Sequence, residues 1–202
     1  MLAGLIAGLM LPAIPAMAQM YNDKTLEYSD SAMELSAGDT ATNTTINGGA
    51  QYISSGGNAT STTINEGVQI VFDGGTASTT TINGGYQEIS SGGLATNTII
   101  DGGDQYISSG GNAIDTTIEN GYQTVFSGGN ATSTIINGGF QEVSSGGSAT
   151  SAIINAGFQT LYDNSIASST VINNGFQLIS NGGSSVDTTI QGGIQEVGEG
   201  GS

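Results

Sequence analysis

Carboxylates are the side chains of this sequence best suited to acid–base or metal chemistry. Glu88, Glu142 and Glu196 recur at intervals of 54 residues, which is three times an 18-residue period that runs through the chain. If each period forms one turn of a stacked structure, neighbouring carboxylates in this series lie roughly 14 Å apart. That distance is too long for a shared metal ion or an acid–base pair. We therefore expect no catalytic and no metal-binding residues among them.

The remaining chemical repertoire is narrow. The sequence contains no His and no Cys, so the usual nucleophile–base pairs and the imidazole or thiolate metal sites are absent. Its 202 residues include 17 acidic side chains and one Lys, which gives a formal net charge of -16. Such a surface repels phosphate backbones, and this excludes nucleic acid as a partner. The composition predicts a protein that is not an enzyme and that needs no cofactor.

An 18-residue repeat determines which side chains can meet. Each copy carries an Ile, then a Gly, a Gln two residues after that Gly, an apolar residue two residues after the Gln, and finally a Gly pair followed by a small residue. The copies follow one another without an insertion. The Gln positions are Gln51, Gln69, Gln87, Gln105, Gln123, Gln141, Gln159, Gln177 and Gln195.

This repeat predicts strands rather than helices, because glycine at each corner breaks helices and the short segments between corners are rich in β-branched residues. A strand of about five residues cannot bury a face alone, but equivalent strands stacked about 4.8 Å apart form a parallel β-solenoid. We predict an all-β parallel β-helix of about nine 18-residue turns, or rungs, over residues 38–202. The Gly49 and Gly57 columns should supply the positive φ angles of the corners.

The glutamines should form a buried ladder. If the apolar residue at Ile53 points inward, Gln51 points the same way, since residues two apart in a strand share a face. A buried amide is costly alone, but stacked amides bond to one another along the ladder. We expect this ladder to hold the rungs in register and to bind no ligand. The asparagines at Asn47 and its equivalents should form a second ladder at a turn.

The residue between Gly and Gln should then point outward. It is aromatic in five copies, at Tyr86, Tyr122, Phe140, Phe158 and Phe176. An exposed apolar stripe of this length usually marks a contact surface. The alternative is that corner packing or sheet curvature covers the rings. We take these five residues as candidates for self-association.

The beginning of the chain differs from the repeat. An apolar run from Leu2 to Leu11 precedes the small-x-small sequence Ala16-Met17-Ala18, which is typical of a signal peptidase site. The run is short for a bilayer span, and no Lys or Arg precedes it. We interpret residues 1–18 as a truncated signal peptide of an exported chain. Residues 19–37 lie upstream of the clear repeat and are predicted to form an N-terminal cap or linker.

The unit G-x-Q-x-V-x-x-G-G-x-A, as in residues Gly139 to Ala149, resembles the passenger repeats of AIDA-type autotransporter adhesins, which are surface proteins of Gram-negative bacteria. The resemblance covers about residues 38–202. It implies a right-handed parallel β-helix at the exterior of the outer membrane. It also implies adhesion to a host-cell surface receptor, autoaggregation and biofilm formation. Full-length members carry a C-terminal translocator barrel, which we expect this chain to lack.

The resemblance further implies a glycoprotein, because some members carry heptose on repeat Ser and Thr residues, added by a dedicated heptosyltransferase. By matching position, the candidate O-glycosylation acceptors are Ser54, Ser55, Ser90, Ser91, Ser108, Ser109, Ser144 and Ser145.

Four functions are compatible with these patterns. The favoured one is a surface adhesin passenger segment that self-associates through its β-helix faces, and the first alternative is an inert stalk that presents O-linked sugars. A polysaccharide-binding or polysaccharide-processing β-helix is less favoured, because the sequence lacks convergent carboxylates and a basic site. An ice-binding solenoid would need an outward threonine column. The residues of that column are Thr44, Thr62, Thr80, Thr98, Thr116 and Thr134.

Overall fold

The computed structural model describes residues 17–90 and 92–202. These residues form β-strands and no helix, so this part of the chain has no helix long and apolar enough to cross a membrane. The strands are β1 (Met20–Asn22), β2 (Thr25–Leu26), β3 (Met33–Leu35), β4 (Thr40–Thr42), β5 (Thr45–Ile53), β6 (Asn58–Thr60), β7 (Thr63–Val71), β8 (Thr76–Ser78), β9 (Thr81–Ile82), β10 (Tyr86–Ile89), β11 (Leu94–Thr96), β12 (Ile99–Ile107), β13 (Asn112–Ile114), β14 (Thr117–Val125), β15 (Asn130–Thr132), β16 (Ile135–Ile136), β17 (Phe140–Val143), β18 (Ser148–Thr150), β19 (Ile153–Ile154), β20 (Phe158–Leu161), β21 (Ile166–Ser168), β22 (Val171–Ile172), β23 (Phe176–Ile179), β24 (Ser184–Val186), β25 (Thr189–Ile190) and β26 (Ile194–Val197).

The strands wind as a parallel solenoid whose period equals that of the sequence. Gln87 pairs with Gln105, and Ala95 pairs with Ala113, each partner lying 18 residues further along the chain. A ten-stranded sheet runs β1-β4-β6-β8-β11-β13-β15-β18-β21-β24, and a sixteen-stranded sheet holds the other strands. The prediction of an all-β parallel β-helix is confirmed.

The solenoid has about ten rungs rather than nine, because residues 20–35 form an additional one. Strand β1 pairs with β4, while β2 and β3 both pair with β5. Met20 lies opposite Thr40, and Met33 lies opposite Gln51, so the first half of this rung is offset by 20 residues and the second half by 18. The extra residues fall in the loop around Tyr28. The segment predicted to be a cap or linker is therefore folded onto the repeats.

The core is a stack of identical side chains. Ile46, Ile53 and Ala59 begin three inward columns whose members are fully buried through most of the solenoid. Each buried Ile or Val contributes roughly 1.5–3 kcal/mol through the hydrophobic effect. In the last rung, Ile190 and Val197 are half exposed. The interior is thus built by stacking, and a single rung could not bury its own apolar residues.

The corner glycines serve two different purposes, and the prediction for them was wrong in part. Positive φ falls on the first glycine of each pair, as at Gly56 (φ 86), and Asn164 fills that column with φ 54. The second glycine, as at Gly75, does not need positive φ. A Cβ there would overlap the carbonyl oxygen of Ile53 in the rung below. In the Gly49 column, positive φ occurs at Gly67, Gly85 and Gly121 but not at the other described glycines.

Candidate functional site

Four aromatic rings form a continuous stack on the outer surface. Strands β14, β17, β20 and β23 hold Tyr122, Phe140, Phe158 and Phe176 in register, one ring per rung. The Tyr122–Phe140 centroids are 4.9 Å apart and the Phe140–Phe158 centroids 5.3 Å, with both pairs inclined by only 13°. Phe158 and Phe176 are 5.8 Å apart and tilted by 48°. The strand spacing brings equivalent rings into van der Waals contact. We call these four residues the aromatic stack.

The aromatic stack faces outward, as the alternation of the strands requires. Tyr122 is 44% exposed, Phe140 37% and Phe158 44%, whereas Phe176 is half-buried. The other outward residues of these strands are Thr124, Glu142, Thr160 and Leu178. This patch therefore carries one carboxylate, although the whole chain has a net charge of -16.

Tyr86, the fifth candidate, does not join the stack. Asp104 occupies the rung between Tyr86 and Tyr122 in this column. The Tyr86 ring instead contacts Tyr106 at 5.6 Å, and Tyr106 contacts Phe126 at 6.2 Å. The Tyr106 hydroxyl donates to the Asp104 carboxylate at 2.9 Å. Partial burial, and second this hydrogen bond, raise the pKa of Tyr106.

The glutamines line the interior on the opposite face of the same strands. In each pair, the upper amide nitrogen donates to the amide oxygen below at 2.6–2.7 Å, from Gln195 down to Gln51. All these dipoles point the same way, and such chains strengthen one another. At the lower end, Gln51 donates to the Met33 sulfur at 3.2 Å. The ladder leaves no glutamine amide facing a ligand from Gln51 to Gln177, since these residues are fully buried.

An outer asparagine ladder repeats this polarity at the turn. Asn65 donates to Asn47 and Asn83 to Asn65, each at 2.9 Å. Acidic residues interrupt it at Asp101 and Glu119. It resumes in the upper rungs, where Asn155 donates to Asn137 and Asn173 to Asn155.

The threonine column that an ice-binding face would need lies inside the solenoid. Thr44 and its equivalents up to Thr134 are about 1% exposed. Thr116, for example, donates to the oxygen of Gln105 in the rung below at 3.2 Å. These hydroxyls complete the bonding of the glutamine ladder. The expectation of a Thr44-based ice-binding face is wrong, because the column alternates inward with the core isoleucines.

The candidate acceptor serines lie at a corner of the solenoid, and the two members of each pair differ in exposure. The first members, Ser54, Ser90, Ser108 and Ser144, are half-buried, whereas the second members Ser55, Ser109 and Ser145 are exposed. Ser91 lies outside the described residues. The exposed hydroxyls are accessible to a modifying enzyme without any change of the backbone.

The carboxylates stay apart. Glu88 and Glu142 lie three rungs apart on the same outer column, as their strand partners establish. Within residues 17–90 and 92–202, no group of three or more His, Cys, Asp or Glu side chains could hold a metal ion.

The structure also contains a corner that the sequence pattern did not reveal. A whole column of non-glycine residues is left-handed, with φ between 54 and 58°. Beside it, Ile99, Ile135 and Ile153 line a shallow groove of about 500 Å³. Asn and Asp tolerate this backbone region, which gave a hint, but Ser and Thr gave none. The members of the column are Asn43, Ser61, Thr79, Asn97, Asp115, Ser133, Ser151, Ser169 and Asp187.

Known proteins share both the repeat and the solenoid. A crystal structure of a TibC-catalysed, hyper-glycosylated TibA55-350 fragment superimposes with a TM-score of 0.58 and 37% identity, over 91% of this chain and 92% of the fragment. The chain belongs to the AIDA-type autotransporter adhesins. Membership identifies these rungs as part of an exported passenger.

Two curated adhesins extend this assignment. The autotransporter adhesin/invasin TibA of Escherichia coli O78:H11 is 57% identical over 54 residues, and the autotransporter CRAC of Citrobacter rodentium is 62% identical over 50 residues. The matches cover 25% and 24% of this chain but only 6% and 3% of those relatives. The chain thus spans a small part of their length. No family model matches the sequence.

Proposed function

We propose that this autotransporter passenger segment mediates cell adhesion, autoaggregation and biofilm formation by lateral contact between solenoids at the exterior of the outer membrane. The observation that carries the proposal is the exposed aromatic stack. It runs along four consecutive rungs, and no other element of the described chain covers it. Apolar surface of this kind is typical of a contact site.

Charge distribution supports the same surface. Two chains of net charge -16 repel each other, so a side-by-side contact requires faces with few carboxylates. The strands of the aromatic stack carry only Glu142. The ten-stranded sheet offers a second low-charge surface, because its outward residues, such as Thr60, Thr96 and Thr132, are all uncharged.

The experiment replaces the aromatic stack and compares it with that second surface. One variant carries Ser at Tyr122, Phe140, Phe158 and Phe176. The matched control carries Ser at four outward threonines of the ten-stranded sheet, Thr60, Thr96, Thr132 and Thr150. Sedimentation velocity across protein concentration, and settling of cells that display the passenger, provide the measurements. Far-UV circular dichroism verifies that both variants keep the β signature.

We expect the wild-type chain to associate more strongly as salt screens the net charge. The stack variant should remain monomeric and its cells should stay in suspension, while the control should behave like the wild type. Loss of association in the control alone would move the contact to the ten-stranded sheet. A wild-type chain that is monomeric at every salt concentration would refute self-association of the bare repeat.

A second role, the presentation of O-linked sugars as a stalk, is favoured by the hyper-glycosylated state of the TibA fragment. Here the partner would be a heptosyltransferase that acts on Ser or Thr before export. Exposure ranks Ser55, Ser109 and Ser145 above their half-buried neighbours as acceptors.

Co-expression with a heptosyltransferase and intact-mass spectrometry test this role. Replacement of Ser55, Ser109 and Ser145 by Ala should remove more added mass than replacement of Ser54, Ser108 and Ser144. An unmodified wild-type mass would contradict sugar presentation, and equal losses would contradict the ranking. We propose no catalytic role for the chain, and any turnover of a polysaccharide panel by the purified protein would overturn this.

A further inference from the structure

A gap in the outer aromatic column lies at Asp104. On strand β12, Asp104 occupies the position that holds Tyr86 one rung below and Tyr122 one rung above, and the three residues are in register. With strands about 4.8 Å apart, the two tyrosine backbones are roughly 9.6 Å apart. A slot one rung thick therefore separates the two rings, with the short Asp104 side chain at its base.

Aromatic rings surround this slot on three sides. Tyr122 stacks one face on Phe140 at 4.9 Å, so that its other face is turned toward the rung of Asp104. Tyr86 lies on the lower side. Tyr106 lies beside the slot, in contact with Tyr86 at 5.6 Å, and its hydroxyl donates to Oδ2 of Asp104. The residues that surround Asp104 thus present π faces and a hydroxyl.

The slot has negative charge and no counter-ion from this chain. Oδ1 of Asp104 accepts no side-chain hydrogen bond in the described part of the chain, and Glu88 adds a second carboxylate one rung below. The sequence contains no Arg. Its one Lys, Lys24, lies in the first rung, four rungs or roughly 19 Å away by strand spacing. A cation at Asp104 must therefore come from another molecule.

We propose that the slot at Asp104 binds the guanidinium group of an Arg side chain of a partner protein. A guanidinium is planar, so it can stack on the Tyr122 and Tyr86 faces while it donates in its own plane to Oδ1. An ammonium has no flat face to stack in this way. The inference goes beyond self-association, because a second copy of this chain has no Arg to offer.

Nuclear magnetic resonance with ¹³C-labelled tyrosine rings tests the site in the full chain. The probe is N-acetyl-arginine methylamide, and N-acetyl-lysine methylamide is the comparison. We expect saturable shifts of the Tyr86, Tyr106 and Tyr122 ring signals, with an apparent Kd about fivefold lower for the arginine probe. Signals of Tyr21 and Tyr52 should stay in place.

Three variants separate this site from general charge attraction. Asp104→Asn should weaken arginine binding roughly tenfold, because it removes the charge and keeps the shape. Asp101→Asn, the matched control, removes an exposed carboxylate of the same rung from the asparagine column and should change the Kd less than about twofold. Asp104→Phe should fill the slot, continue the stack and abolish binding.

Two results would overturn the proposal. One is an equal loss of binding in Asp101→Asn and Asp104→Asn, which would mean attraction by net charge alone. The other is a wild-type response that does not saturate or that is the same for both probes. If circular dichroism shows that Asp104→Phe is misfolded, the Asp104→Asn and Asp101→Asn pair still decides the matter.

Discussion

The two faces of one strand obey different constraints in this protein. On β17, Gln141 and Val143 point inward, and Phe140 and Glu142 point outward. The inward Gln position holds Gln in all nine repeats, whereas the outward position next to it varies from Ala50 to aromatic residues and to acid.

The difference follows from who satisfies each side chain. Inside, each glutamine must donate to the amide below and accept from the amide above, because no water replaces a missing partner. Outside, solvent satisfies any polar group, so a ring there adds stacking without being required by the fold. Identity is therefore fixed inside by hydrogen bonding, and the outer surface is free to carry function.

The strongest test of this contrast is Gln123→Leu. Gln123 donates to Gln105 and accepts from Gln141 and Thr134, so its loss leaves two buried donors unsatisfied. We expect the free energy of unfolding to fall by about 2–5 kcal/mol. Urea denaturation followed by circular dichroism measures it. The outward control Thr124→Leu should stay within about 0.5 kcal/mol, and an equal effect of both would break the comparison.

A second test stays within the threonine column. Thr116 bonds to Gln105, but the hydroxyl of Thr170 is buried with no hydrogen-bond partner among the described residues. Thr116→Val should cost about 1–2 kcal/mol of unfolding free energy. Thr170→Val should cost nothing or stabilise the chain, because it removes an unsatisfied buried hydroxyl. If denaturation curves show equal losses, the column contributes by packing alone.

On the outer face, Phe140→Leu removes two stacked contacts, to Tyr122 and to Phe158. We expect a loss of about 1 kcal/mol, measured by thermal unfolding. Phe126→Leu removes one tilted contact at 6.2 Å and should cost less. A Phe140→Leu cost as large as that of Gln123→Leu would mean that the stack is a structural element rather than a surface feature.

The smallest effect concerns the ionisation of Tyr106. Burial and the hydrogen bond to Asp104 raise its folded pKa above the ordinary value of 10.0. A raised pKa means that the folded state holds this proton more tightly. Its contribution to stability is complete below about pH 10, the unfolded pKa, and is lost as pH rises through the folded value.

Tyrosinate absorbance against pH tests this shift. Tyr106→Phe should remove one late-titrating tyrosine and flatten the decline of stability above about pH 10. Tyr162 also has a raised pKa, through burial and then Glu142, and serves as the internal reference. A titration that is unchanged in Tyr106→Phe would contradict the hydrogen bond to Asp104.

Sequence reasoning succeeded where the repeat itself carries the information. Gln51 and Ile53 share a face because residues alternate along a strand, and the 18-residue spacing sets the register. The first rung escaped it, since Met33 stands where later rungs have Gln, and no Gly pair precedes it. Its membership in the sheet depends on contacts with the next rung, which no local pattern records.

The corners escaped for a related reason. A glycine pair indicates a turn, but it does not say which glycine needs positive φ and which must avoid a neighbour. At Gly75 the cause is the Ile53 carbonyl in the rung below, an atom that only stacking brings near. Left-handed Ser and Thr residues in another corner have no sequence signature at all.

The sequence by itself determined the fold class, the rung length and the inward columns, because a strict 18-residue period admits one way of stacking identical side chains. Tertiary structure decided how the outer residues combine. It grouped Tyr122, Phe140 and Phe158 into one stack, assigned Tyr86 to a different cluster and left a slot at Asp104. Ring contacts between rungs depend on side-chain directions and on what fills each neighbouring position. Those are properties of the assembled surface.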